Sequence, residues 1–169
     1  KYMLSELINE TSIRLGVECG TWEDAVRESG KILVENGDIT EEYIQAVIDN
    51  VNEVGPYIVI TKGVALPHAT NKIGVNRTAM SFISLKTPVN FGSKANDPVK
   101  YVFMLATIDA NSHLGALQDL AEFLGRKEFI ETLGAARDAG SIVSYIKKNE
   151  TNNQTIFQKR LTGREDVEH

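Results

Sequence analysis

Apolar and polar positions alternate along the first third of the chain with the spacing of two amphipathic helices. The first helix is predicted to begin after Thr21, whose hydroxyl can cap it, and to stop at Gly37. The second is predicted to begin after Thr40 and to end near Gly55. The pattern therefore predicts two consecutive helices before any strand.

The pattern then changes to short apolar runs, which are typical of β-strands. Four such runs follow: Tyr57–Ile60, Val64–Leu66, Ala79–Leu85 and Val99–Thr107. The last, "VKYVFMLAT", is almost continuously apolar, as expected of a central strand that is covered on both faces.

Helical spacing returns in the C-terminal third of the chain. A helix is predicted to open at Ser112 and to run to about Leu124, because leucines recur along one of its faces. Two shorter helices are expected, at 128–138 and 142–148. This order of elements predicts one α/β domain in which helices cover a sheet. The residues from 149 onward are polar and weakly periodic, and 151–169 are expected to form a C-terminal tail that is partly disordered.

Composition narrows the choice of function. The 169 residues suffice for one domain with a sizeable core, and the formal net charge of −5 argues against nucleic acid as a partner. No apolar run approaches the ~20 residues of a membrane span, so we expect no direct membrane insertion. Cys19 is the only cysteine, which excludes an internal disulfide and fits a reducing, cytoplasmic location.

In the stretch "GVALPHA" a histidine, His68, directly follows a proline. Leu66 is pushed toward extended geometry by the proline that follows it, and Pro67 has no N–H to continue strand pairing. Gly63, the first residue of the stretch, allows an unusual backbone angle there. His68 is therefore expected at a strand end, either as a chemical group on a rigid lead-in or as a partly buried structural histidine.

A second histidine lies in the first turn of the helix predicted at Ser112. Free N–H groups there bind anions, and the positive end of the helix dipole lowers the pKa of His113 and keeps its ring neutral. If the strand before this helix is parallel to the strand that leads to His68, both histidines reach one edge of the sheet. The alternative for His113 is a surface histidine near a helix cap.

The sequence lacks the motifs of metal sites, serine hydrolases and phosphate-binding loops. Neither histidine has nearby metal-ligand partners, and the chain contains no GxSxG, GxGxxG or GxxxxGK[ST] pattern. Cys19 precedes a helix, but no phosphate-binding glycine loop follows it, so we expect an inert thiol. A histidine that itself carries a phosphoryl group fits these residues, because a neutral imidazole nitrogen is a competent nucleophile near pH 7. Such a carrier needs no metal and no cofactor.

"GVALPHA" resembles the phosphorylation-site motif of type-2 enzyme IIA domains, the mannitol/fructose class, of the bacterial phosphoenolpyruvate-dependent sugar phosphotransferase system. The resemblance runs from about Ser12 to Lys148 and includes "TWEDAVRESGKILVENGDITEEYIQAVI", "PVNFG", "DPVKYVFMLA" and "HLGALQDLAEFLG". It implies a single α/β domain over 1–150 with a central mixed β-sheet flanked by helices. It also implies that His68 accepts phosphoryl from the phosphocarrier protein HPr and passes it to a cysteine of a sugar-specific enzyme IIB, while His113 supports the group.

The chain departs from the family pattern in one respect. Many members carry an arginine near 52–54, and this chain does not. A turn at Gly63 could bring the Lys62 ammonium to His68 as a substitute, so the expected binding residues are Lys62, Gly63, Pro67 and Ser112.

The lead-in "GPYIVI" and the "PVNFG…NDPV" block are similar to the ascorbate-type branch. An enzyme IIA-like regulatory domain that controls a transcription regulator is the alternative function. The sequence leaves open the transported sugar, a homo-oligomeric state and the phosphorylated nitrogen of His68, for which the family pattern suggests Nε2.

Overall fold

The computed structural model describes residues 3–70 and 73–162, with 151–162 described as helix backbone only. Its helices are α1 (Leu4–Leu7), α2 (Trp22–Glu35), α3 (Glu41–Val54), α4 (Ala110–Leu124), α5 (Lys127–Ala135) and α6 (Ala139–Thr162). Its strands are β1 (Ile13–Val17), β2 (Val59–Thr61), β3 (Val64–Ala65), β4 (Ala79–Val89) and β5 (Val99–Ala106). A 3₁₀ turn, Glu10–Ser12, precedes β1.

The five strands form one mixed sheet in the order β1-β4-β5-β3-β2. β4 and β5 are antiparallel, as are β2 and β3, whereas β1 runs parallel to β4 and β3 runs parallel to β5. The expected single α/β domain with a central mixed sheet flanked by helices is confirmed, and β5 is the central strand.

Each face of the sheet carries its own hydrophobic cluster, as the two-residue period of a strand requires. Along β5, Val102 and Met104 join the cluster beneath α2 and α3. Phe103 and Leu105 point to the other face and pack with residues of α1, α4, α5 and α6. All four side chains are fully buried. The central strand is therefore held on both faces, and its C-terminal end gives the following helix, α4, a fixed starting position.

The predicted starts of two helices can be compared with the observed ones. The Thr21 hydroxyl accepts a hydrogen bond from the Asp24 N–H at 3.1 Å, which confirms it as the cap of α2. The helix predicted to open at Ser112 begins at Ala110 instead. Asp109 is its cap, and its carboxylate accepts from the Ser112 N–H at 2.7 Å.

The C-terminal helix is longer than predicted. α6 extends to Thr162, so helix is observed across part of the segment for which a polar tail was expected. One reason for its extension past 148 is Glu150, whose buried carboxylate accepts from the Ser5 N–H at 3.2 Å and ties α6 to α1. Residues 163–169 lie outside the described residues. Within the described ranges, none of the helices is both long and apolar enough to cross a membrane.

Candidate active site

Two parallel strands bring the two predicted histidines together. Val64 of β3 pairs with Tyr101 of β5, and the pairing continues until the Leu105 N–H donates to the Pro67 carbonyl at 2.9 Å. His68 comes directly after this last bond, and the end of β5 leads into α4, which carries His113. The centroids of the two imidazole rings lie 5.3 Å apart.

A hydrogen bond fixes the orientation of the His68 ring. Its Nδ1 lies 2.6 Å from the carbonyl oxygen of Leu66. Because a carbonyl oxygen can only accept, Nδ1 must carry the proton of this bond. The neutral ring therefore keeps its free lone pair on Nε2.

The surroundings favour the neutral form of both rings. Burial lowers the pKa of His68 below its ordinary value, the hydrogen bond to Leu66 opposes this, and the neighbouring His113 lowers the pKa further. Burial also lowers the pKa of His113. A lowered pKa means that each ring stays unprotonated to a lower pH than a free histidine, so both are neutral near pH 7.

Tyr43 of α3 holds the chain just beyond His68, a role that the sequence analysis missed. Its side chain is 1% exposed, and its hydroxyl donates to the Leu105 carbonyl at 2.6 Å. The same hydroxyl accepts from the Ala69 N–H at 2.9 Å. The hydroxyl of a buried tyrosine needs hydrogen-bond partners. A tyrosine on the apolar face of α3 was therefore the sequence signal for this anchoring role.

Tyr43→Phe should lower the free energy of unfolding by about 1–3 kcal/mol, because it leaves the buried N–H of Ala69 without its acceptor. Urea unfolding of the parent and the variant measures this. Tyr145→Phe is the matched control, because the buried Tyr145 hydroxyl has no hydrogen-bond partner among the described residues. Equal stability of Tyr43→Phe and the parent would contradict the anchoring role.

Tyr57 contacts His68 from the other side and was also missed. Its hydroxyl donates to the His68 carbonyl. The Tyr57 and His68 rings meet edge to face, with centroids 5.2 Å apart and planes at 84°. In the sequence Tyr57 was only the first residue of a predicted strand, and the observed strand β2 begins after it, at Val59.

Ser112 uses its hydrogen-bonding groups within the N-terminal cap of α4. Its N–H and its hydroxyl both bond the Asp109 carboxylate, at 2.7 and 2.8 Å. The Ser112 hydroxyl also lies 3.2 Å from that of Thr78, which precedes β4. Ser112 is buried, and these bonds hold the first turn of α4, and with it His113, against the sheet.

Lys62 and Gly63 lie at the opposite end of β3 from His68, so the geometry does not favour the binding role that the sequence predicts for them, and that role stays a prediction. They form the turn between β2 and β3, where Gly63 has a φ of 74° and its carbonyl accepts from Lys100 and Tyr101 at the start of β5. His68 lies beside the other end of β5. Extended chain rises about 3.3 Å per residue, so the five steps from Gly63 to His68 put the ends of this segment roughly 16 Å apart. A lysine side chain does not span that distance.

Lys62→Met should leave phosphoryl transfer unchanged at both low and high ionic strength, because an exposed charge at this distance interacts weakly through water and salt weakens the interaction further. Parallel rate measurements of the parent and the variant at two salt concentrations test this. A rate that falls only at low salt would mean that Lys62 acts on the site through a longer-range field.

Cys19 is buried before α2, and its environment does not activate it. Burial is the main reason that its pKa is raised to about 11, with Glu28 and Asp24 adding to the effect. The thiol is therefore protonated at neutral pH, in line with the inert cysteine that the sequence predicted.

A single α/β domain that holds two neutral histidines side by side at one sheet edge suits a protein that carries a group on a side chain. A family model described as "Phosphoenolpyruvate-dependent sugar phosphotransferase system, EIIA 2" matches residues 6–149. The chain belongs to this family, and it is a phosphotransferase component of that system.

Characterised relatives agree with this assignment. The ascorbate-specific EIIA component of Salmonella typhimurium is 36% identical over 144 residues, which covers 84% of this chain and 93% of that protein. The mannitol-specific cryptic phosphotransferase enzyme IIA CmtB from Escherichia coli has a similar structure, with a TM-score of 0.77, 34% identity, and coverage of 87% of this chain and 99% of that chain. In the E. coli complex of enzyme IIAMTL with phosphorylated enzyme IIBMTL, the matching chain has a TM-score of 0.74 and 25% identity, covering 83% of this chain and 97% of that one.

Proposed function

We propose that Nε2 of His68 accepts the phosphoryl group from phospho-HPr and passes it to the cysteine of an ascorbate-type enzyme IIB. The observation that carries this proposal is the 2.6 Å contact between Nδ1 and the Leu66 carbonyl, since it leaves the lone pair on Nε2. Ascorbate as the transported sugar rests on the relatives, which are named as ascorbate-specific.

The transfer needs no proton to move at His68. The Nε2 lone pair forms a bond to phosphorus as the bond between phosphorus and the histidine nitrogen of phospho-HPr breaks. The product ring carries phosphoryl on Nε2 and still holds its proton on Nδ1, so it is formally cationic. The Leu66 carbonyl accepts that proton's hydrogen bond and stabilises the developing positive charge. Attack by the IIB thiolate then returns the ring to its neutral form.

His113 is the donor that we assign to the phosphoryl oxygens. Its ring lies beside that of His68, and in its neutral form it has one N–H to offer. The Ser112 N–H already bonds Asp109, so it is not the donor we choose. Pro67 contributes by fixing the backbone before His68, and its carbonyl bonds Leu105.

The partners would dock on the apolar surface near the two histidines. Ile108 and Leu114 flank the start of α4 and are 40% and 56% exposed. Exposed apolar side chains of this kind suit the centre of a protein interface. Binding to a IIB protein is supported by the E. coli IIAMTL–IIBMTL complex. A cytoplasmic location is part of the proposal and fits the single unpaired cysteine.

The direct test is to incubate the protein with labelled phosphoenolpyruvate, enzyme I and HPr, and to find one acid-labile, base-stable phosphate per chain. Adding purified IIB proteins of the ascorbate and mannitol types then compares the two acceptors. Label that leaves only to the mannitol-type IIB would overturn the ascorbate assignment. A protein that takes up no label would overturn the carrier role.

A further inference from the structure

The peptide group between His68 and Ala69 lies between two tyrosine hydroxyls. The Tyr57 hydroxyl donates to its carbonyl, and the Tyr43 hydroxyl accepts from its N–H at 2.9 Å. These tyrosines come from different parts of the chain, one inside α3 and one in the connection after it. Rotation of this peptide group would break both bonds, so its orientation is fixed from both sides.

Tyr57 also limits the motion of the His68 side chain. The Tyr57 ring packs edge to face on the His68 ring, and Nδ1 of the same ring is bonded to the Leu66 carbonyl at 2.6 Å. Burial raises the pKa of the Tyr57 phenol, while its hydrogen bond with the Asn50 side chain opposes that rise. The phenol therefore keeps its proton at neutral pH and remains a donor to the His68 carbonyl.

We propose that Tyr57 is a positioning residue for phosphoryl transfer: it fixes the His68–Ala69 peptide and the His68 ring so that Nε2 faces the incoming phosphorus. This inference rests on the carrier function proposed above. Tyr57 acts through His68 and does not itself need to touch the phosphoryl group, because its hydroxyl proton is already committed to the carbonyl. Transfer requires the reacting atoms in line and about 3 Å apart, so a loosely held ring would lose rate without losing its nucleophile.

Tyr57→Phe tests the role of the hydroxyl separately from that of the ring. The variant keeps the edge-to-face contact but loses the hydroxyl's bonds to the His68 carbonyl and to the Asn50 side chain. Loss of one ordinary hydrogen bond at the His68 carbonyl should lower kcat for acceptance from phospho-HPr about three- to tenfold and leave KM for phospho-HPr unchanged. Tyr57→Leu, which loses the ring as well, should be slower still.

A spectroscopic measurement tests the same inference without any phosphoryl donor. The ¹⁵N chemical shifts of the His68 ring should report a single tautomer with the proton on Nδ1 in the parent. In Tyr57→Phe they should move toward a mixture of the two tautomers, because the freer peptide weakens the contact between Nδ1 and Leu66. Tyr101→Phe is the matched control: it removes a hydroxyl from β5 at the residue that pairs with Val64, away from His68.

The outcomes distinguish this inference from the function on which it rests. A parent protein that accepts no phosphoryl group overturns the carrier function, while the tautomer measurement still tests the placement of the ring. If the parent is labelled and Tyr57→Phe matches it in kcat, the positioning role is wrong, whatever the tautomer ratio. If Tyr101→Phe slows transfer as much as Tyr57→Phe does, the effect is not specific to Tyr57 and the inference also falls. Urea unfolding confirms that each variant is folded before it is compared.

Discussion

His68→Ala should take up no phosphoryl group from phospho-HPr. The variant loses the imidazole that carries Nε2, and no other group can replace a missing nucleophile. The fold should survive, because His68 is only partly buried at the end of the segment that follows β3. The variant loses the ring's bond to the Leu66 carbonyl, but the bond from Tyr57 to the His68 carbonyl does not depend on the ring. The expected effect is therefore complete loss of labelling in a folded protein.

The measurement is labelling with phosphoenolpyruvate, enzyme I and HPr, with thermal unfolding recorded alongside. His113→Ala is the comparison, since it removes an imidazole from the same sheet edge but keeps the proposed acceptor. Acid-labile label on a folded His68→Ala protein would show that the acceptor has been misassigned. If that label maps to His113, the roles of the two histidines are reversed.

His113→Ala should be labelled on His68 but about 10²–10³-fold more slowly, the usual effect of removing one donor that stabilises charge in a transition state. His113→Gln keeps a donor near the same place and should recover part of the rate. Loss of the neighbouring ring should also raise the pKa of His68 toward its ordinary value, because His113 is one of the groups that lower it.

An NMR titration of His68 tests that second expectation. The acid limb of the rate profile should move to higher pH in His113→Ala, since the lowered pKa of the parent keeps the nucleophile unprotonated further into the acid range. Unchanged transfer in His113→Ala would remove His113 from the site. Equal rates for the alanine and glutamine variants would indicate that the ring only packs against His68 and donates no hydrogen bond to phosphoryl.

The elements that the sequence predicted well are those with a strong period. α2 and α3 were located from their apolar spacing and flanking residues, and β5 from its continuous apolar run. β1 was missed because it is short and carries Gly16 at a positive φ of 67°. Its partner, β4, lies far along the chain, so only the alternation of Ile13, Leu15 and Val17 signalled a strand.

The part of the candidate site that the sequence predicted is the part whose position depends on the strand directly before it. The proline before His68 and the helix after β5 placed the two histidines at one edge only if their strands are parallel, and the pairing of β3 with β5 meets that condition. The two tyrosines that hold the His68–Ala69 peptide were not predictable in this way. Their partners are set by how α3 packs on the sheet, and no spacing along the sequence relates Tyr43 to Ala69 and Leu105.

The role predicted for Lys62 rested on its distance from His68 along the chain. Closeness in sequence suggested closeness in space, because a glycine lies between Lys62 and His68. The chain instead turns at Gly63 and then runs straight along β5, which separates the two residues by the length of the strand. A glycine in the sequence indicates where the chain turns. The strand with which the following segment pairs determines where that segment lies.

Because β3 pairs in parallel with β5, phosphoryl labelling should also report whether the sheet is folded. β4 lies between these strands in the sequence but on the far side of β5 in the sheet, so His68 and His113 meet only after a long loop has closed. A chain whose central sheet has come apart would hold neither ring in place. The fraction of molecules that can be labelled rapidly at a given urea concentration should therefore follow the population of native sheet, and would give an unfolding curve that needs no optical probe.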